Sequence, residues 1–564
     1  MIFRSAIKMV FLLFSVFALC DGLSGQEFDE SFELWPVDLK INGTVIAGGG
    51  SELPNQAAEL LLAVSIRAEA PVVRVQLPKV RNKSNAETTA KFDELENHQV
   101  LELLKLSDLK DASAVAKLDS AVVIWLQTEL VLGEVSRNIL TQLLPVLKEA
   151  VDRGALVCVN GPAIEYFGKL MMMASEGSSI SFHDGGDLVF DSVIKAGYRE
   201  ESDRPALLSM LSANPSCVGI GVEPNACIVL SGRKIRVLGD GAAVFALAAN
   251  GTKPVRIQVL RQAESRRANP YETIVDLTAW RRDAIERMGE LFPPARPQPP
   301  FIKNGNLVIV GGGGMPAGLM EEMVELAGGV NAKMVYIPCS ESDEVSASQR
   351  IVEIWEKMGV KSATFIHTKD REKANSDEVF LAPLRDATGI WFGGGRQWNL
   401  ADSYFGTEAH RLMKEVLNRG GVIGGSSAGA SIQARYMCRA NPVANFDIMA
   451  PGYERGLGFI SGVAIDQHFS QRRRQRDMTS LVNRYPQLLG IGIDEATAIV
   501  VTRSNARVVG RGKVHFYDRQ NPVIPGEDDF IALKEGAVFD LAGRVVVAQS
   551  NELQPVPSVG KKEN

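Results

Sequence analysis

MKEVLNRGGVIGGSSAG (Met413–Gly429) runs from an amphipathic helix through an Arg-Gly stop and a short apolar strand into a glycine-serine turn. Further apolar runs precede the glycine-serine turn: KMVYIPCS, SATFIH and GIWFGGG. Helical patterns separate them, and helices are predicted over Ser346–Met358 and Thr407–Asn418. Buried strands of four to six residues alternating with amphipathic helices are typical of βαβ units. The sequence therefore predicts an α/β fold with mostly parallel sheets covered by helices on both faces.

The chain contains this pattern twice. LKEAVDRGALVCVNGPA (Leu147–Ala163) aligns with Met413–Gly429 without a gap, and Ile194–Pro224 aligns with Ile465–Glu495 at one constant offset. A self-similarity of this length indicates two tandem domains of the same fold.

The two copies differ at three positions that matter chemically. The second copy has a hydroxyl, an imidazole and a carboxylate where the first has residues without a reactive side chain: Ser427, His468 and Glu495 against Gly161, Gly197 and Pro224. The loss of this one trio from an otherwise retained scaffold predicts that the chemistry belongs to the second copy.

Length and composition are those of a globular protein of two or three domains. The chain has 564 residues, 45% hydrophobic and 23% charged, and a net charge of −6. This charge gives no basic field, so we expect no nucleic-acid partner. After the first 25 residues we find no apolar run long enough to span a membrane.

The first 25 residues are typical of a secretory signal peptide. Arg4 and Lys8 form a positive region, followed by an apolar run of about 11 residues from Met9 to Leu19, which is too short to span a bilayer. We expect cleavage between Ala18 and Gln26 and a secreted or periplasmic protein, with lipoprotein processing at Cys20 as the alternative.

Prolines divide the remainder of the chain. LFPPARPQPPFIKNG follows the first copy, and its prolines fix φ and remove backbone donors, which is typical of a stiff linker. The predicted segments are a signal peptide (1–25), a degenerate copy (26–290), a linker (291–302), a catalytic copy (303–550) and a disordered tail (551–564). ARVVG, KVHFY and RVVVA predict antiparallel strands near the end of the catalytic copy.

Cysteines and histidines give no pattern of a metal site. The five cysteines after the signal peptide have spacings that fit neither a disulfide framework nor a zinc site, and no H-x-x-x-H pair occurs. We therefore expect no metal and no other cofactor, and we interpret Cys158 and Cys227 as buried free thiols.

Ser427 is the candidate nucleophile. GGSSAG (Gly424–Gly429) contains a G-x-S-x-G, which places a serine on a sharp strand-to-helix turn where only small neighbours fit. The following residues, ASIQARYM, are predicted to form a helix whose first N–H groups and dipole face a developing oxyanion. The alternative is an ordinary Gly-Ser turn at a helix start.

His468 and Glu495 are the candidate base and orienting acid. Each follows an apolar strand, VAIDQHF and GIGIDE, so both side chains are expected at the carboxyl edge of the sheet near Ser427. A lone histidine is more often structural, which is the alternative here. Asp494 is the rival carboxylate, but Glu223 of the first copy corresponds to it, which favours a structural role.

The order serine, histidine, acid excludes an α/β-hydrolase esterase, in which the acid precedes the histidine. GGSSAG, DQHFSQRRR, GIGIDEATA and FGGGRQ (Phe392–Gln397) closely resemble the cyanophycinases, which belong with peptidase E to one serine peptidase family, peptidase family S51. The resemblance covers about residues 303–545. It implies two tandem flavodoxin-like domains of the class I glutamine amidotransferase-like type, the first degenerate.

The resemblance also implies a function and its residues. The function would be that of a secreted serine exopeptidase that releases β-aspartyl-arginine dipeptides from cyanophycin through an acyl-enzyme. Ser427 would be the nucleophile, His468 the base and Glu495 the orienting acid, with oxyanion donors on Ala428 and Gly313. The substrate pocket would be lined by Gln397, Asp466, Gln467, Arg472 and Arg474. The guanidinium groups of the two arginines can hold carboxylates of the substrate.

Two positions depart from the family pattern. Arg396 stands where the pattern has an acid, and Asp477 stands where it has a third arginine. Both change the charge beside the pocket, so another aspartyl or acidic peptide remains open as the substrate. A non-catalytic binding protein is the alternative from a different functional class. A homodimer and an intrachain pseudo-dimer of the two copies both remain open as assemblies.

Overall fold

The computed structural model describes residues 35–36, 40–67, 71–78, 86–95, 98–128, 132–174, 180–251, 253–264, 268–345 and 348–548. The predicted signal peptide, Cys20 and the predicted tail 551–564 lie outside the described residues. The described residues from Pro36 onward form one compact unit. Within the described ranges, no helix is long and apolar enough to cross a membrane.

The first half contains two sheets and the helices that cover them. Its strands are β1 (Thr44–Gly48), β2 (Val72–Gln76), β3 (His98–Glu102), β4 (Val123–Gln127), β5 (Leu156–Asn160), β6 (Leu170–Ala174), β7 (Ile180–Asp184), β8 (Ser192–Ala196), β9 (Val218–Val222), β10 (Cys227–Ser231), β11 (Lys234–Leu238), β12 (Ala242–Leu247), β13 (Arg256–Arg261) and β14 (Ile274–Asp276). Its helices are α1 (Asn55–Arg67), α2 (Ala86–Asp93), α3 (Ala112–Ser120), α4 (Glu134–Asp152), α5 (Glu200–Ala213), α6 (Pro270–Thr273) and α7 (Leu277–Met288), with 3-10 turns over Leu106–Lys110 and Gly161–Phe167.

The second half has the same kinds of element. Its strands are β15 (Asn306–Val310), β16 (Lys333–Ile337), β17 (Ser362–Phe365), β18 (Gly389–Phe392), β19 (Val422–Ser426), β20 (Ala434–Met437), β21 (Ile460–Gln467), β22 (Leu489–Ile493), β23 (Thr497–Thr502), β24 (Asn505–Gly510), β25 (Val514–Tyr517), β26 (Ile531–Leu533), β27 (Val538–Asp540) and β28 (Val545–Ala548). Its helices are α8 (Leu319–Leu326), α9 (Ser348–Lys357), α10 (Arg371–Ser376), α11 (Glu378–Asp386), α12 (Trp398–Tyr404), α13 (Glu408–Asn418), α14 (Ala428–Ser431) and α15 (Gln475–Arg484), with a 3-10 turn over Gly329–Asn331.

The two halves share one sheet topology. The larger sheets have the strand orders β14-β11-β10-β1-β5-β4-β2-β3 and β17-β16-β18-β19-β15-β23-β24-β27-β28. Each contains a run of parallel strands with the same internal order, followed by antiparallel strands. The smaller sheets, β13-β12-β9-β8-β6-β7 and β20-β21-β22-β25-β26, correspond in the same way. The α/β class with mostly parallel central strands is therefore confirmed.

β15 is the central strand of the larger sheet in the second half. It pairs in parallel with β19 and antiparallel with β23, and its residues from Leu307 to Val310 are fully buried. Such a strand, apolar on both faces, is typical of a sheet covered by helices on both sides. Its carboxyl end leads into the glycine loop 311–314. Because β19 runs parallel to β15, with Ser426 opposite Val310, the carboxyl end of β19 lies beside this loop.

One predicted helix is wrong over most of its length. Helix α14 stops at Ser431, and Ala434–Met437 forms strand β20 instead of continuing the helix. β20 pairs in parallel with β21 and begins the smaller sheet. Tertiary pairing thus overrides a local pattern that is compatible with a helix.

Buried charges connect the two halves. Arg233 of the first half donates to Asp276 of its own half and to Asp402 of the second, at 2.6 and 2.5 Å. Arg282 also lies 2.9 Å from Asp402, and the Tyr453 hydroxyl donates to the same carboxylate at 2.7 Å. Asp402 is 1% exposed, so its charge is compensated almost entirely by protein groups.

Candidate active site

Three strand ends of the second half meet at one place. Ser427 follows β19, His468 follows β21, and Glu495 comes two residues after β22. β21 and β22 are parallel neighbours in the smaller sheet, whereas β19 belongs to the larger one. The site therefore lies at the carboxyl edges of both sheets, where open α/β sheets bind ligands.

Ser427 has a strained backbone. Its φ of 57° and ψ of −111° are unusual for a residue with a side chain. The turn is possible because a Cβ on Gly425 would lie 2.3 Å from the Gly429 carbonyl oxygen, and one on Gly429 would lie 2.2 Å from that of Phe392. The glycines of GGSSAG are thus required for close backbone approach, as the motif predicts.

The three side chains form one hydrogen-bonded chain. The Ser427 hydroxyl Oγ lies 2.9 Å from His468 Nε2, and His468 Nδ1 lies 2.6 Å from Glu495 Oε1. The distances suit a serine that gives its proton to Nε2 while the Nδ1–H donates to the carboxylate. This arrangement is chemically able to activate a hydroxyl for attack on a carbonyl carbon.

The surroundings of His468 favour its neutral form. Burial lowers the pKa of His468 below its ordinary value, the hydrogen bond to Glu495 opposes this effect, and the charge of Arg472 adds to the lowering. A neutral imidazole is the form that can accept a proton. The ring is 9% exposed, while the Glu495 side chain remains about one third exposed.

A glycine loop, residues 311–313, encloses the imidazole and the carboxylate. The His468 amide donates to the Gly311 carbonyl at 2.8 Å, and the Ala496 amide donates to the Gly312 carbonyl at 2.7 Å. A Cβ on Gly312 would lie 2.4 Å from His468 Cε1, and one on Gly313 would lie 2.5 Å from the Glu495 carboxyl carbon. Both glycines also have positive φ, so the loop tolerates no side chain at either position.

The predicted oxyanion donors are backbone amides of Ala428 and Gly313. Ala428 follows Ser427 directly and is the first residue of α14, which has only four residues and so offers the N–H groups of a single turn. A Cβ built on Gly313 would contact the Glu495 side chain. Gly394, which the FGGG motif contains, also lies near the nucleophile, since a Cβ built on it would lie 3.5 Å from Ser427 Cβ. The oxyanion assignments remain predictions.

Most of the predicted pocket residues form an internal network. The Asp466 carboxylate is fully buried and accepts from Arg474 Nη1 at 2.8 Å, and this nitrogen also donates to the Gln467 carbonyl at 2.6 Å. The Gln397 side chain, 3% exposed, donates to the Cys438 carbonyl. Arg472, by contrast, is exposed beside His468. The prediction that these residues bind substrate remains untested.

Arg439 is a residue of this network that the sequence motifs did not indicate. It is 3% exposed, and its Nε donates to both oxygens of Asp466 at 3.0 and 2.8 Å, while Nη2 donates to Asp477 at 2.6 Å. Its φ of 57° is a further sign of a constrained position. CRAN (Cys438–Asn441) belongs to none of the sequence motifs. The signal that could have indicated a buried arginine partner was Asp477, an acid at a position where the family pattern has an arginine.

Arg396 follows Gly394 by two residues in the loop after β18. Its side chain is half-buried, and Nη2 donates to the Asn441 carbonyl at 2.5 Å. Its Nε is buried and has no hydrogen-bond partner among the described residues. A buried donor of this kind usually has a partner, so the position departs from the ordinary pattern of protein interiors.

The first half retains the backbone of this site without its side chains. Gly161 and Gly197, which correspond to Ser427 and His468, have φ of 72° and 60°, in the same positive region. The Gly49 amide donates to Ala226 just as the Gly311 amide donates to Thr497, both at 2.9 Å. The conformation therefore persists where the chemistry is absent.

Asp494 is held away from His468. Its Oδ1 accepts from the Ser470 amide at 3.0 Å, and its Oδ2 accepts from the Lys513 amide at 3.0 Å. Burial raises its pKa, but these hydrogen bonds and the one to His515 outweigh it and lower the value to about 2. The carboxylate thus fixes the backbone around β22, in agreement with a structural role.

Comparison with known proteins finds similarity over part of the second half of the chain. Residues 307–509 match the model of peptidase family S51. The cyanophycinase of Geminocystis herdmanii is 29% identical over 225 residues, covering 39% of this chain and 82% of the relative. That of Trichormus variabilis is 32% identical over 200 residues, covering 34% and 65%. That of Synechococcus elongatus is 30% identical over 205 residues and is matched over 63% of its length.

Two solved structures are similar over the same share of the chain. A peptidase from an acI-B1 Actinobacterium is 25% identical with a TM-score of 0.32, covering 42% of this chain and 97% of that one. A putative peptidase E protein from Listeria monocytogenes is 19% identical with a TM-score of 0.28, covering 37% and 98%. Residues 307–509, which contain Ser427, His468 and Glu495, thus resemble peptidase family S51, and the relatives cover 34% to 39% of the chain.

Proposed function

We propose that this protein is a serine exopeptidase whose nucleophile is Ser427 and whose substrate is cyanophycin. The observation that carries the proposal is the hydrogen-bonded chain from Ser427 through His468 to Glu495. The names of the curated relatives support the substrate, since each is a cyanophycinase. The product would be β-aspartyl-arginine dipeptides.

The geometry supports a two-step acyl transfer. Ser427 Oγ attacks the scissile carbonyl carbon while His468 Nε2 takes the hydroxyl proton, and Glu495 stabilises the imidazolium through Nδ1–H. The oxyanion is held by the Ala428 amide and by a glycine amide, for which Gly313 is the residue that the family resemblance implies and Gly394, whose built Cβ would lie 3.5 Å from Ser427 Cβ, is the alternative. His468 then gives its proton to the leaving amine, and a water molecule activated by the same imidazole hydrolyses the acyl-enzyme.

We propose further that the enzyme acts outside the cytoplasm. The support is the positive and apolar pattern of the first 25 residues, which is typical of an export signal. N-terminal sequencing of the protein recovered from the producing cells tests this. A mature N-terminus between Ala18 and Gln26 is expected, whereas a protein that retains Met1–Leu19 contradicts it.

A second substrate class is favoured by one observation. Arg396 carries a buried Nε without a partner among the described residues, and the acid Asp477 is already paired with Arg439. Arg396, two residues after Gly394, therefore contributes a positive charge to the loop that follows β18, and a positive charge suits a carboxylate of the substrate better than a guanidinium. An aspartyl or other acidic peptide, cleaved by the same mechanism, is the second candidate.

Dipeptide release distinguishes the two. Purified mature protein is incubated with cyanophycin and, separately, with short acidic peptides, and Ser427→Ala is the control in both. Release of β-aspartyl-arginine by the unmodified protein only supports the first candidate. Hydrolysis of acidic peptides without release from cyanophycin supports the second. If the Ser427→Ala variant is equally active on either substrate, the proposed mechanism is wrong.

A further inference from the structure

Loop 441–447 of the second half supplies backbone acceptors to two arginines of the site. The Asn441 carbonyl accepts from Arg396 Nη2 at 2.5 Å. The Phe446 and Asn445 carbonyls accept from Arg439 Nη1 at 2.8 and 3.4 Å. Both guanidinium groups therefore depend on the conformation of this loop for their position.

The loop has no regular secondary structure and two buried side chains. Pro442 and Ala444 are buried, whereas Phe446 is 66% exposed, and the loop contains neither a helix nor a strand. A segment with few buried apolar contacts is expected to open locally unless other groups hold it. Its conformation must then be stabilised by contacts with neighbouring elements.

One such contact comes from the other half of the chain. The Tyr271 hydroxyl, on helix α6 of the first half, donates to the Ala444 carbonyl at 3.0 Å and accepts from the Asp447 amide at 3.3 Å. Its ring also lies edge-on to Phe446, with centroids 6.4 Å apart. Burial raises the pKa of Tyr271, so the hydroxyl keeps its proton and can donate at neutral pH.

Tyr271 is itself firmly placed. Its amide donates to the Asn269 side chain at 3.1 Å, which caps helix α6, and its carbonyl accepts from the Gln258 side chain on β13. The first half thus offers a fixed hydroxyl at the loop, although it has no reactive trio of its own.

We propose that Tyr271 of the degenerate half is a positioning residue for the proposed peptidase site: it holds loop 441–447 in the conformation that fixes the guanidinium groups of Arg396 and of the buried Arg439. The inference rests on the proposed function for its kinetic consequence. The Tyr271 hydroxyl binds the loop, and the loop carbonyl of Phe446 accepts from Arg439. Arg439 in turn donates to Asp466, which also accepts from the amide of Gln467, the residue before His468. The degenerate half would therefore influence substrate binding and leave the chemical step to the second half.

The test compares Tyr271→Phe with the unmodified full-length protein. Loss of the hydroxyl removes both hydrogen bonds to the loop and keeps the ring, so hydrogen–deuterium exchange of the Asp447 amide should accelerate about tenfold. KM for the peptide substrate should rise about tenfold with kcat unchanged. Labelling of Ser427 by a small serine-directed probe, which does not use the arginines, should keep its rate.

Tyr198→Phe is the matched control. The Tyr198 hydroxyl donates to Glu200 within the first half at 2.8 Å, so its removal should change neither the exchange of loop 441–447 nor KM. The proposal is overturned if Tyr271→Phe leaves the Asp447 exchange unchanged, or if kcat and probe labelling fall together with the affinity. A protein that cleaves no peptide would refute the proposed function, and the exchange measurement would still decide whether Tyr271 holds the loop.

Discussion

At the scale of single residues, Ser427, His468 and Glu495 carry the proposed chemistry, and Gly161, Gly197 and Pro224 stand in their places in the first copy. The three side chains that only the second copy has lie in one hydrogen-bonded chain, although their catalytic role remains a prediction. Arg439 could not be predicted, because its role depends on burial between Asp466 and Asp477, which are distant from it in sequence. Positions like this arise from packing, and no local pattern carries them.

The acid limit of activity follows from the pKa of His468. The base must be neutral, and burial lowers its pKa below 6.5, so kcat/KM should fall on the acid side only below that pH. Arg472→Gln removes a positive charge that contributes to this lowering, so the acid limb should move to higher pH. A pH profile of kcat/KM checks both, and a limb that shifts to lower pH in Arg472→Gln would contradict the charge argument.

At the scale of elements, the strand ends and the glycine turn were predictable and the start of the smaller sheet was not. Helix α13 begins after Thr407 and ends at Asn418, as its periodicity predicts. Residues 434–437, expected in a helix, pair with β21, and this pairing depends on a strand that comes more than 20 residues later. Short apolar runs are compatible with both conformations, so the tertiary partner decides between them.

The glycine loop after β15 gives a sharp test at this scale. Gly312→Ala would place a Cβ 2.4 Å from the His468 ring and displace it, so kcat/KM should fall about a hundredfold or more. Gly314→Ala is the control, since it also has a positive φ but its Cβ would meet nothing closer than 3.7 Å. Equal losses in the two variants would show that backbone strain, and not contact with His468, is the cause.

At the scale of the whole molecule, the repeat in the sequence corresponds to a repeated pair of sheets joined through buried charges. The sequence could indicate two copies, but it could not indicate how they meet, because Arg233, Arg282 and Asp402 are unremarkable in their local sequences. Domain boundaries and oligomeric state remain predictions. The buried position of Asp402 against two arginines of the first half gives this contact a measurable energy.

Asp402→Ala should destabilise the fold by about 3–5 kcal/mol, because it removes the carboxylate that the buried Arg282 and Arg233 share and leaves Asp276 as the remaining carboxylate of Arg233. Glu378→Ala, which removes an exposed pair with Arg385, should cost no more than about 1 kcal/mol. Denaturant unfolding of the two variants compares them. A loss for Asp402→Ala as small as that for Glu378→Ala would show that the buried cluster does not hold the halves together.

The same carboxylate predicts an acid dependence. Burial alone would raise the pKa of Asp402, but Arg233 and Arg282 outweigh it and lower the value to about 2. Because the pKa is lower in the folded state, the stabilisation is present above the ordinary carboxyl pKa of about 3.9 and is lost as the pH falls toward 2. Asp402→Asn should flatten the stability profile in this range, and an unchanged profile would contradict the assignment.

If Ser427 is the activated nucleophile of the chain, covalent labelling will show it most directly. The full-length protein is treated with a serine-directed phosphonylating probe, and the modified residue is located by peptide mass spectrometry, with His468→Ala as a parallel sample. We expect a single adduct on Ser427 and a rate of labelling about 10²–10⁴-fold lower without the imidazole. No adduct on Ser427, or labelling equally fast in His468→Ala, would contradict it.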